Sequence, residues 1–517
     1  MFCKVYTMAC LGIDGHVVQV EADMSSGLPS FRIVGEITGE VKESGARIRT
    51  ALRNSGYALP TKKWVINLAP ADFRKTGTGY DFPIAIALLC CFEQINPEYL
   101  EKSIFIGELG LNGNLVPVKG MLSMISKATE MGFNYCFVPE GNAKEAAILP
   151  QIQVYAVKNL RQAILHLQGK KMMESVFYPE MKSEETSDKE KYRYPMDFKD
   201  IYGQEMAKRS IEISVAGHHH LLMIGPPGSG KTMMAERIPY ILPEMDLSEQ
   251  ILVTKLHSAA GRIKPGTGLI KERPFRRPHH TVSDKVLIGG GSIPMPGEIS
   301  LAHGGVLFLD EFGEFSRNTI EALRQPLESG EVFLHRVRGD YTFPSSPLMV
   351  AAMNPCKCGY YPDRERCRCT SYQIQNYMSK ISGPLMERMD LCVRIHRVTC
   401  SDFEKREDFM DSHSMHQNIE NALVIQKERF KGTTIRYNGE MDTCFIEKYC
   451  SLDDSARELL EKAYEKYHLS ARTRQKILKV ARTISDLENK KDIQMNHIAG
   501  SLCYRFPDEN YGGVPWD

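Results

Sequence analysis

Residues 221–232 read LLMIGPPGSGKT, and this stretch decides the fold of the central part of the chain. The four apolar residues 221–224 predict a short buried strand, and a helical pattern begins at Met233. The loop between them consists of Gly225, Pro226, Pro227, Gly228, Ser229, Gly230, Lys231 and Thr232. A glycine-rich loop in this context lets backbone N–H groups surround a phosphate. We expect Lys231 to reach the outer phosphates of a nucleotide and the Thr232 hydroxyl to bind Mg²⁺.

Two further apolar runs predict the neighbouring strands of a parallel sheet. Asp310 and Glu311 directly follow the run at residues 305–309, and Asn354 directly follows the run at residues 348–353. Because parallel strands end at one edge of a sheet, we expect these side chains beside the phosphate loop. Asp310 would complete the Mg²⁺ shell, Glu311 would polarise the attacking water, and Asn354 would orient that water. Taken alone, the acids would indicate a solvated turn and Asn354 a loop cap.

Composition excludes several classes of protein. The chain has 517 residues, of which 42% are hydrophobic and 25% charged, so it is neither fibrous nor disordered overall. Lys plus Arg is 65 and Asp plus Glu is 64, which excludes a globally basic nucleic-acid-binding protein. The longest apolar run, Ile84 to Phe92, is too short to cross a bilayer. We therefore expect a soluble, cytoplasmic protein without a membrane partner.

The pattern along the chain predicts an α/β protein with three domains. Residues 1–170 mix short β-rich runs with helical stretches, and residues 171–197 are charged and resemble a linker. Residues 198–396 alternate apolar strands with helices, as in a parallel α/β/α sheet. Residues 397–517 carry helical periodicity and form a C-terminal helical domain in this interpretation.

The chain resembles the magnesium-chelatase-like AAA+ ATPases of the ComM/YifB group. The resemblance covers almost the whole chain and is carried by the three strands and four further motifs. These motifs are RPHHT at 277–281, GGGSIP at 289–294, PGEISLAH at 296–303 and NPC at 354–356. The resemblance implies ATP and Mg²⁺ as cofactors, a central AAA+ domain and a C-terminal helical lid.

The resemblance also implies a homo-oligomeric ring, expected to be a hexamer, with ATP between subunits. A neighbouring subunit would then supply an arginine, and Arg388 is the candidate because it could neutralise charge on the transferred phosphate. The alternative is an intramolecular pair of Arg388 with Asp390 or Glu387. Arg472 opens a late helix where such ATPases carry a second sensor arginine, and we choose it over Arg474.

Four of the 14 cysteines are crowded into one short segment. Cys356, Cys358, Cys367 and Cys369 form two Cys-x-Cys pairs in a loop with little apolar material. Four thiolates around a tetrahedral Zn²⁺ would organise such a loop. The alternatives are reduced thiols and a labile disulfide, and cytosolic clusters favour the metal.

The N-terminal region resembles the Lon protease domain in two segments, 75–81 and 107–118. Lon enzymes pair a nucleophilic serine with a lysine base. In this register Gly79 replaces the serine and Leu122 replaces the lysine, while Thr78 and Lys119 are out of register. The resemblance therefore implies a Lon-like fold without peptidase chemistry, which suits a structural role.

Two segments are candidates for contact with DNA. The first is a predicted hairpin over residues 331–343, which in related ring helicases projects into the central pore. The second, residues 273–280, combines positive charge with an aromatic residue and imidazoles, as single-strand binding requires. The candidate side chains are Arg276, Arg277, His279, His280, His335, Arg336 and Arg338. A solvated face or a subunit contact explains both segments equally well.

Three functions fit these features. The first is a ring ATPase that moves along DNA, and the resemblance implies branch migration in recombination or natural transformation. The second is the motor subunit of a magnesium chelatase, which would need neither the Lon-like region nor the cysteine loop. The third is an ATP-dependent protein remodeller, since the missing Ser–Lys pair argues only against proteolysis.

Overall fold

The computed structural model of the chain describes residues 1–95, 100–177, 194–291, 294–336, 339–398 and 410–505. Most of the predicted linker and the candidate Arg338 lie outside these residues. Within them no helix combines the length and apolarity that a bilayer-spanning helix needs.

The N-terminal region is built on an eight-stranded sheet. Its strands, with the separate pair β6 and β7, are β1 Phe2–Leu11, β2 Asp14–Ser25, β3 Ser30–Val34, β4 Lys63–Ala69, β5 Ser103–Phe105, β6 Glu108–Leu109, β7 Leu115–Val116, β8 Tyr135–Pro139, β9 Gln153–Val157 and β10 Ser175–Val176. The order in the large sheet is β10-β9-β8-β5-β1-β2-β4-β3. Its helices are α1 Gly39–Asn54, α2 Asp81–Cys91, α3 Met121–Glu130, α4 Ala143–Ala146 and α5 Leu160–Leu167.

Alternation of side chains along the strands builds the core of this region. In β4 the buried residues are Trp64, Ile66 and Leu68, which share one face of the sheet. They belong to one hydrophobic cluster with α1 and α2, and every residue of α2 is buried. A helix that is apolar on nearly all sides must be enclosed, and α2 packs against strands β1 and β2 and helix α1.

The central region is built on a five-stranded parallel sheet in the order β12-β15-β18-β11-β19. Its strands and hairpins are β11 Leu221–Ile224, β12 Phe275–Arg276, β13 Gly289–Gly290, β14 Met295–Pro296, β15 Val306–Leu309, β16 Glu331–Arg336, β17 Gly339–Pro344, β18 Leu348–Met353 and β19 Leu391–Arg394. Its helices are α6 Glu205–Gly217, α7 Lys231–Ile241, α8 Leu247–Ala259, α9 Asp284–Ile288, α10 Glu298–Leu301, α11 Arg317–Glu321, α12 Arg324–Ser329, α13 Ser371–Met378 and α14 Gly383–Met386.

The apolar runs at 221–224, 305–309 and 348–353 are strands, as predicted. Strands β11, β15 and β18 are buried along their whole length, because helices cover both faces of a parallel sheet. The predicted hairpin is β16 and β17, whose outer residues Glu331 and Pro344 pair at its base.

The C-terminal region is helical. Its helices are α15 Ser412–Arg429, α16 Thr443–Tyr449, α17 Asp454–Tyr467, α18 Ala471–Leu487 and α19 Met495–Arg505. Helix α18 packs against α6, since Val480 and Ile484 share a cluster with Ile211. An ion pair of 2.7 Å between Lys476 on α18 and Asp390 adds a charged contact to the central region.

The N-terminal region docks on α8 and on the hairpin. The Ser258 hydroxyl donates to the buried carboxylate of Glu145, and Lys255 donates to Ser126 over 2.8 Å. Burial raises the pKa of Glu145 above its ordinary value. The β1–β2 turn at Gly12 lies against the ring of Tyr341 in the hairpin. These contacts place the Lon-like region directly against the segments that flank the parallel sheet.

Candidate nucleotide-binding site and metal centre

The predicted phosphate loop connects β11 to α7. Gly228 and Gly230 have φ angles of 75° and 90°, a backbone region that side chains other than glycine rarely adopt. These turns allow α7 to begin at Lys231 directly after the loop. The buried Ser229 hydroxyl has no hydrogen-bond partner among the described residues. An unpartnered buried hydroxyl in the loop fits a site whose ligand supplies acceptors.

Lys231 lies inside the loop. Its Nζ donates to the carbonyl of Gly225 over 2.7 Å and to that of Pro226 over 2.9 Å. The Oδ1 of Asn354 is 3.3 Å from the same nitrogen. Burial lowers the pKa of Lys231 to about 8. A phosphate is a stronger acceptor than these neutral oxygens, so the ammonium group is placed to exchange them for a phosphate.

The acidic pair follows β15 at the same edge of the sheet. The Thr232 hydroxyl donates to Asp310 Oδ2 over 2.9 Å. One hydroxyl and one carboxylate are the oxygen ligands that Mg²⁺ prefers, and phosphates and water complete such a shell. Glu311 adopts a left-handed backbone conformation with φ of 52°, and its side chain is 57% exposed. The predicted convergence of Lys231, Thr232, Asp310 and Asn354 is therefore present.

Two residues that we predicted as DNA contacts lie against these acids. Arg277 donates to Asp310 Oδ2 over 2.6 Å and to Glu236 over 3.1 Å. The His280 Nδ1 is 2.9 Å from Glu311 Oε2. Both residues follow β12, which is parallel to β15, so they emerge at the edge that carries the phosphate loop. Strand β12 has only two residues and gives no periodic pattern, so the sequence carries no signal for this placement.

The remaining residues of that segment also have partners within the chain. Arg276 makes a bidentate contact with Glu298, at 2.6 and 2.9 Å. His279 Nδ1 is 2.9 Å from the Thr281 hydroxyl, and its ring lies 4.2 Å from that of His280. The candidate side chains of this segment therefore have partners within the subunit, and Arg277 and His280 are the two that contact the acids after β15.

Arg388 and Arg472 lie at the opposite end of the parallel sheet. The N–H of Asp390 donates to the carbonyl of His220, which immediately precedes β11, over 3.0 Å. Lys476, one turn after Arg472 on α18, forms its ion pair with the same Asp390. A four-residue strand spans about 13 Å, and the phosphate loop begins at its other end.

The two arginines converge on one carboxylate. Glu328 on α12 accepts from Arg388, and its other oxygen is 2.9 Å from Arg472. Arg388 also donates to the carbonyls of Arg324 and Pro384, over 3.2 and 2.7 Å. The alternative of an intramolecular pair therefore occurs, but with Glu328 in place of Asp390 or Glu387. Arg388, Arg472 and Glu328 line a cavity of about 500 Å³.

The four cysteines form a compact cluster. Their sulfur atoms all lie within 4.8 Å of one another, and the shortest separations run from 3.3 to 3.7 Å. Tetrahedral Zn²⁺ with bonds of about 2.3 Å separates its sulfur ligands by about 3.8 Å. Cys356 and Cys367 are buried, and all four are free thiols. The donor set and its spacing fit one zinc ion and do not require a disulfide.

The cysteine loop packs on the phosphate loop. A Cβ added at Gly359 would lie 2.6 Å from Pro227 Cδ, so only glycine permits this contact. Cys356 follows Asn354 by two residues, and Asn354 contacts Lys231. The two candidate sites therefore share one packed boundary.

The hairpin candidates are exposed. His335 is 2.8 Å from Asp340 on the facing strand, and both side chains are more than 70% exposed. Arg336 is exposed at the end of β16. In the Lon-like region, Leu122 is fully buried and Lys119 lies against Gly261 of the central region.

The parallel sheet, the phosphate loop and the acids after β15 define an AAA+ ATPase with a Lon-like N-terminal domain and a helical C-terminal domain. Residues 197–403 match the family model described as magnesium chelatase, subunit ChlI. Residues 20–142 and 410–505 match the models for subunit ChlI of Mg-chelatase and for the ChlI C-terminal part.

Full-length relatives resemble the chain throughout. YifB of Salmonella typhimurium is 38% identical over 98% of this chain and 97% of its own length. Competence protein ComM of Haemophilus influenzae is 37% identical over 97% of each chain. Lon protease 2 of Bacillus subtilis is 33% identical over 27% of this chain and 26% of its own. The chain belongs to the ComM/YifB family of magnesium-chelatase-like AAA+ ATPases.

Proposed function

We propose that this protein is a subunit of a ring-shaped ATPase, a hexamer, in which each nucleotide is completed by the neighbouring subunit. The position of Arg388 and Arg472 carries the proposal. Both lie at the sheet end opposite their own phosphate loop, so neither reaches the nucleotide of its own subunit. A head-to-tail ring closes this gap, because it brings one end of each subunit against the other end of the next.

In this proposal each residue of the site has a separate role. Lys231 binds the phosphates, Thr232 and Asp310 hold Mg²⁺, and Glu311 takes a proton from the attacking water. Asn354 orients that water. Mg²⁺, when bound, neutralises part of the phosphate charge. Arg388 and Arg472 of the neighbour then stabilise charge on the transferred phosphoryl group.

We propose DNA as the track of this motor, with branch migration in recombination or natural transformation as its task. Support comes from the full-length similarity to competence protein ComM and from the exposed His335 and Arg336 on the hairpin. In this proposal Arg277 and His280 serve the nucleotide site, while the hairpin contacts phosphates of DNA.

We also propose that the cysteine loop holds one structural Zn²⁺. Four sulfur atoms within 4.8 Å support this, in a loop whose sequence offers few apolar residues. The metal would fix the loop against Pro227 and thereby support the shape of the phosphate loop.

The proposal predicts DNA-stimulated ATP hydrolysis that depends on Arg388. The Arg388→Ala variant should bind ATP normally but lose hydrolysis by about 10³-fold or more, as removal of a trans arginine does. Steady-state hydrolysis is measured with no DNA, single-stranded DNA and branched DNA, and nucleotide binding is measured separately. Arg457→Ala, an exposed arginine on α17, is the control.

Two results would contradict this account. Hydrolysis that no form of DNA stimulates would favour a protein remodeller or a chelatase motor. Hydrolysis retained by Arg388→Ala would remove the trans role of that residue.

A further inference from the structure

Glu328 links two arginines that are far apart in sequence. One carboxylate oxygen accepts from Arg388 and the other is 2.9 Å from Arg472. The side chain of Arg388 is only 9% exposed, whereas that of Glu328 is 54% exposed. The pair with Arg388 holds the pKa of Glu328 below its ordinary value, so the carboxylate is charged at neutral pH.

This arrangement competes with the role of the two arginines. A guanidinium N–H that donates to a carboxylate of its own subunit cannot at the same time donate fully to a neighbour's phosphate. Glu328 is more exposed than Arg388, so it is the partner with room to move. The ion pairs must therefore open before the Nη2 groups of Arg388 and Arg472 can donate to a neighbour's nucleotide.

Glu328 also sits beside the hairpin. It belongs to α12, which ends at Ser329, and β16 begins two residues later. Gly330 joins the two elements with φ of 71°, and its carbonyl accepts from the Ser345 N–H just after β17 over 2.7 Å. Both ends of the hairpin are thus tied to the residue that follows α12. A displacement of the hairpin would be transmitted to Glu328 through this short connection.

We propose that Glu328 is a positioning residue that restrains Arg388 and Arg472 until the hairpin is occupied. The inference rests on the proposed function, because it assumes that these arginines act on a neighbour's nucleotide. Occupation of the hairpin by a polyanion shifts α12, separates Glu328 from the arginines and makes them available. The restraint couples the hairpin to hydrolysis without any contact between the hairpin and the nucleotide.

The Glu328→Gln variant tests the restraint. The amide keeps the shape but removes the charge that attracts both arginines, and it leaves Arg388 only its contacts with the carbonyls of Arg324 and Pro384. Hydrolysis without DNA should therefore rise by about five- to a hundredfold. Addition of DNA should then increase the rate by much less than in the wild type. Glu328→Asp keeps the charge on a shorter side chain, so its basal rate should lie between those of the wild type and Glu328→Gln.

The control is Glu387→Gln, which removes the acid adjacent to Arg388 in sequence and should leave the basal rate unchanged. Circular dichroism and gel filtration of each variant show whether it folds and assembles. A basal rate of Glu328→Gln that stays equal to or falls below the wild type would overturn the inference. Hydrolysis retained by Arg388→Ala would instead contradict the proposed function, so the two failures are distinguishable.

Discussion

His219 shows at the scale of a single residue how burial creates a pH dependence. It is fully buried between α6 and β11, and its Nε2 is 2.8 Å from the Thr483 hydroxyl on α18. Burial lowers the pKa of His219 to about 4. In the unfolded chain the same group takes up a proton near pH 6.5. Stability is therefore lost as pH falls from about 6.5 to about 4, because only the unfolded state gains the proton.

The variant His219→Gln should remove this contribution. Between pH 6.5 and 4.5 the wild type should lose about 2 kcal/mol more of its free energy of unfolding than the variant, because the slope approaches its limit of about 1.4 kcal/mol per pH unit only between the two pKa values. Urea denaturation of both proteins across this range measures the difference. If the free energy of unfolding changed equally with pH in the two proteins, His219 would not be the source of this pH dependence.

Only part of the nucleotide site could be predicted from the sequence. Lys231, Thr232, Asp310 and Asn354 could be predicted, because a parallel sheet brings strand ends together whatever lies between them in the chain. The position of Arg277 and His280 at the nucleotide site could not be predicted, because β12 has only two residues and gives no periodic signal. Their charge suggested DNA, but the structure pairs them with Asp310 and Glu311.

At the scale of an element, the cysteine loop combines a cluster of four thiols with a contact to the phosphate loop. The spacing of the thiols in the sequence predicted the cluster. The packing of Gly359 on Pro227 could not be predicted, because it depends on how two loops far apart in the chain approach each other. The structure therefore adds a packed contact between the cysteine cluster and the phosphate loop that the separate motifs do not indicate.

This link predicts a measurable effect of metal removal. Purified protein should contain about one zinc per chain, and Cys358→Ser should lose it. The Kd for ATP should then rise by about fivefold or more, because the phosphate loop loses its support. Elemental analysis and binding of a fluorescent nucleotide measure both quantities. The control is Cys444→Ser, which changes an exposed cysteine outside the cluster; metal-free protein with unchanged affinity would refute the link.

At the scale of the whole molecule, the proposed function assigns the two ends of the parallel sheet to different halves of one reaction. The phosphate loop, the acids and Asn354 lie at one end, and Arg388, Arg472 and Glu328 lie at the other. The resemblance implied a ring, and Arg388 was the candidate for the arginine that a neighbouring subunit supplies. The separation of these arginines from the phosphate loop could be seen only in the fold, because it depends on the position of Asp390 beside His220.

Mixed rings test this central claim most directly. Arg388→Ala and Glu311→Gln should each be inactive alone, because every interface lacks either the arginine or the proton acceptor. In an equal mixture, roughly a quarter of the interfaces combine an intact Glu311 with a neighbour's intact Arg388 if subunits mix at random. A double variant mixed with either single variant is the control and should stay inactive. Recovery of about a quarter of wild-type hydrolysis is the predicted result, and a mixture no more active than its separate components would contradict the account.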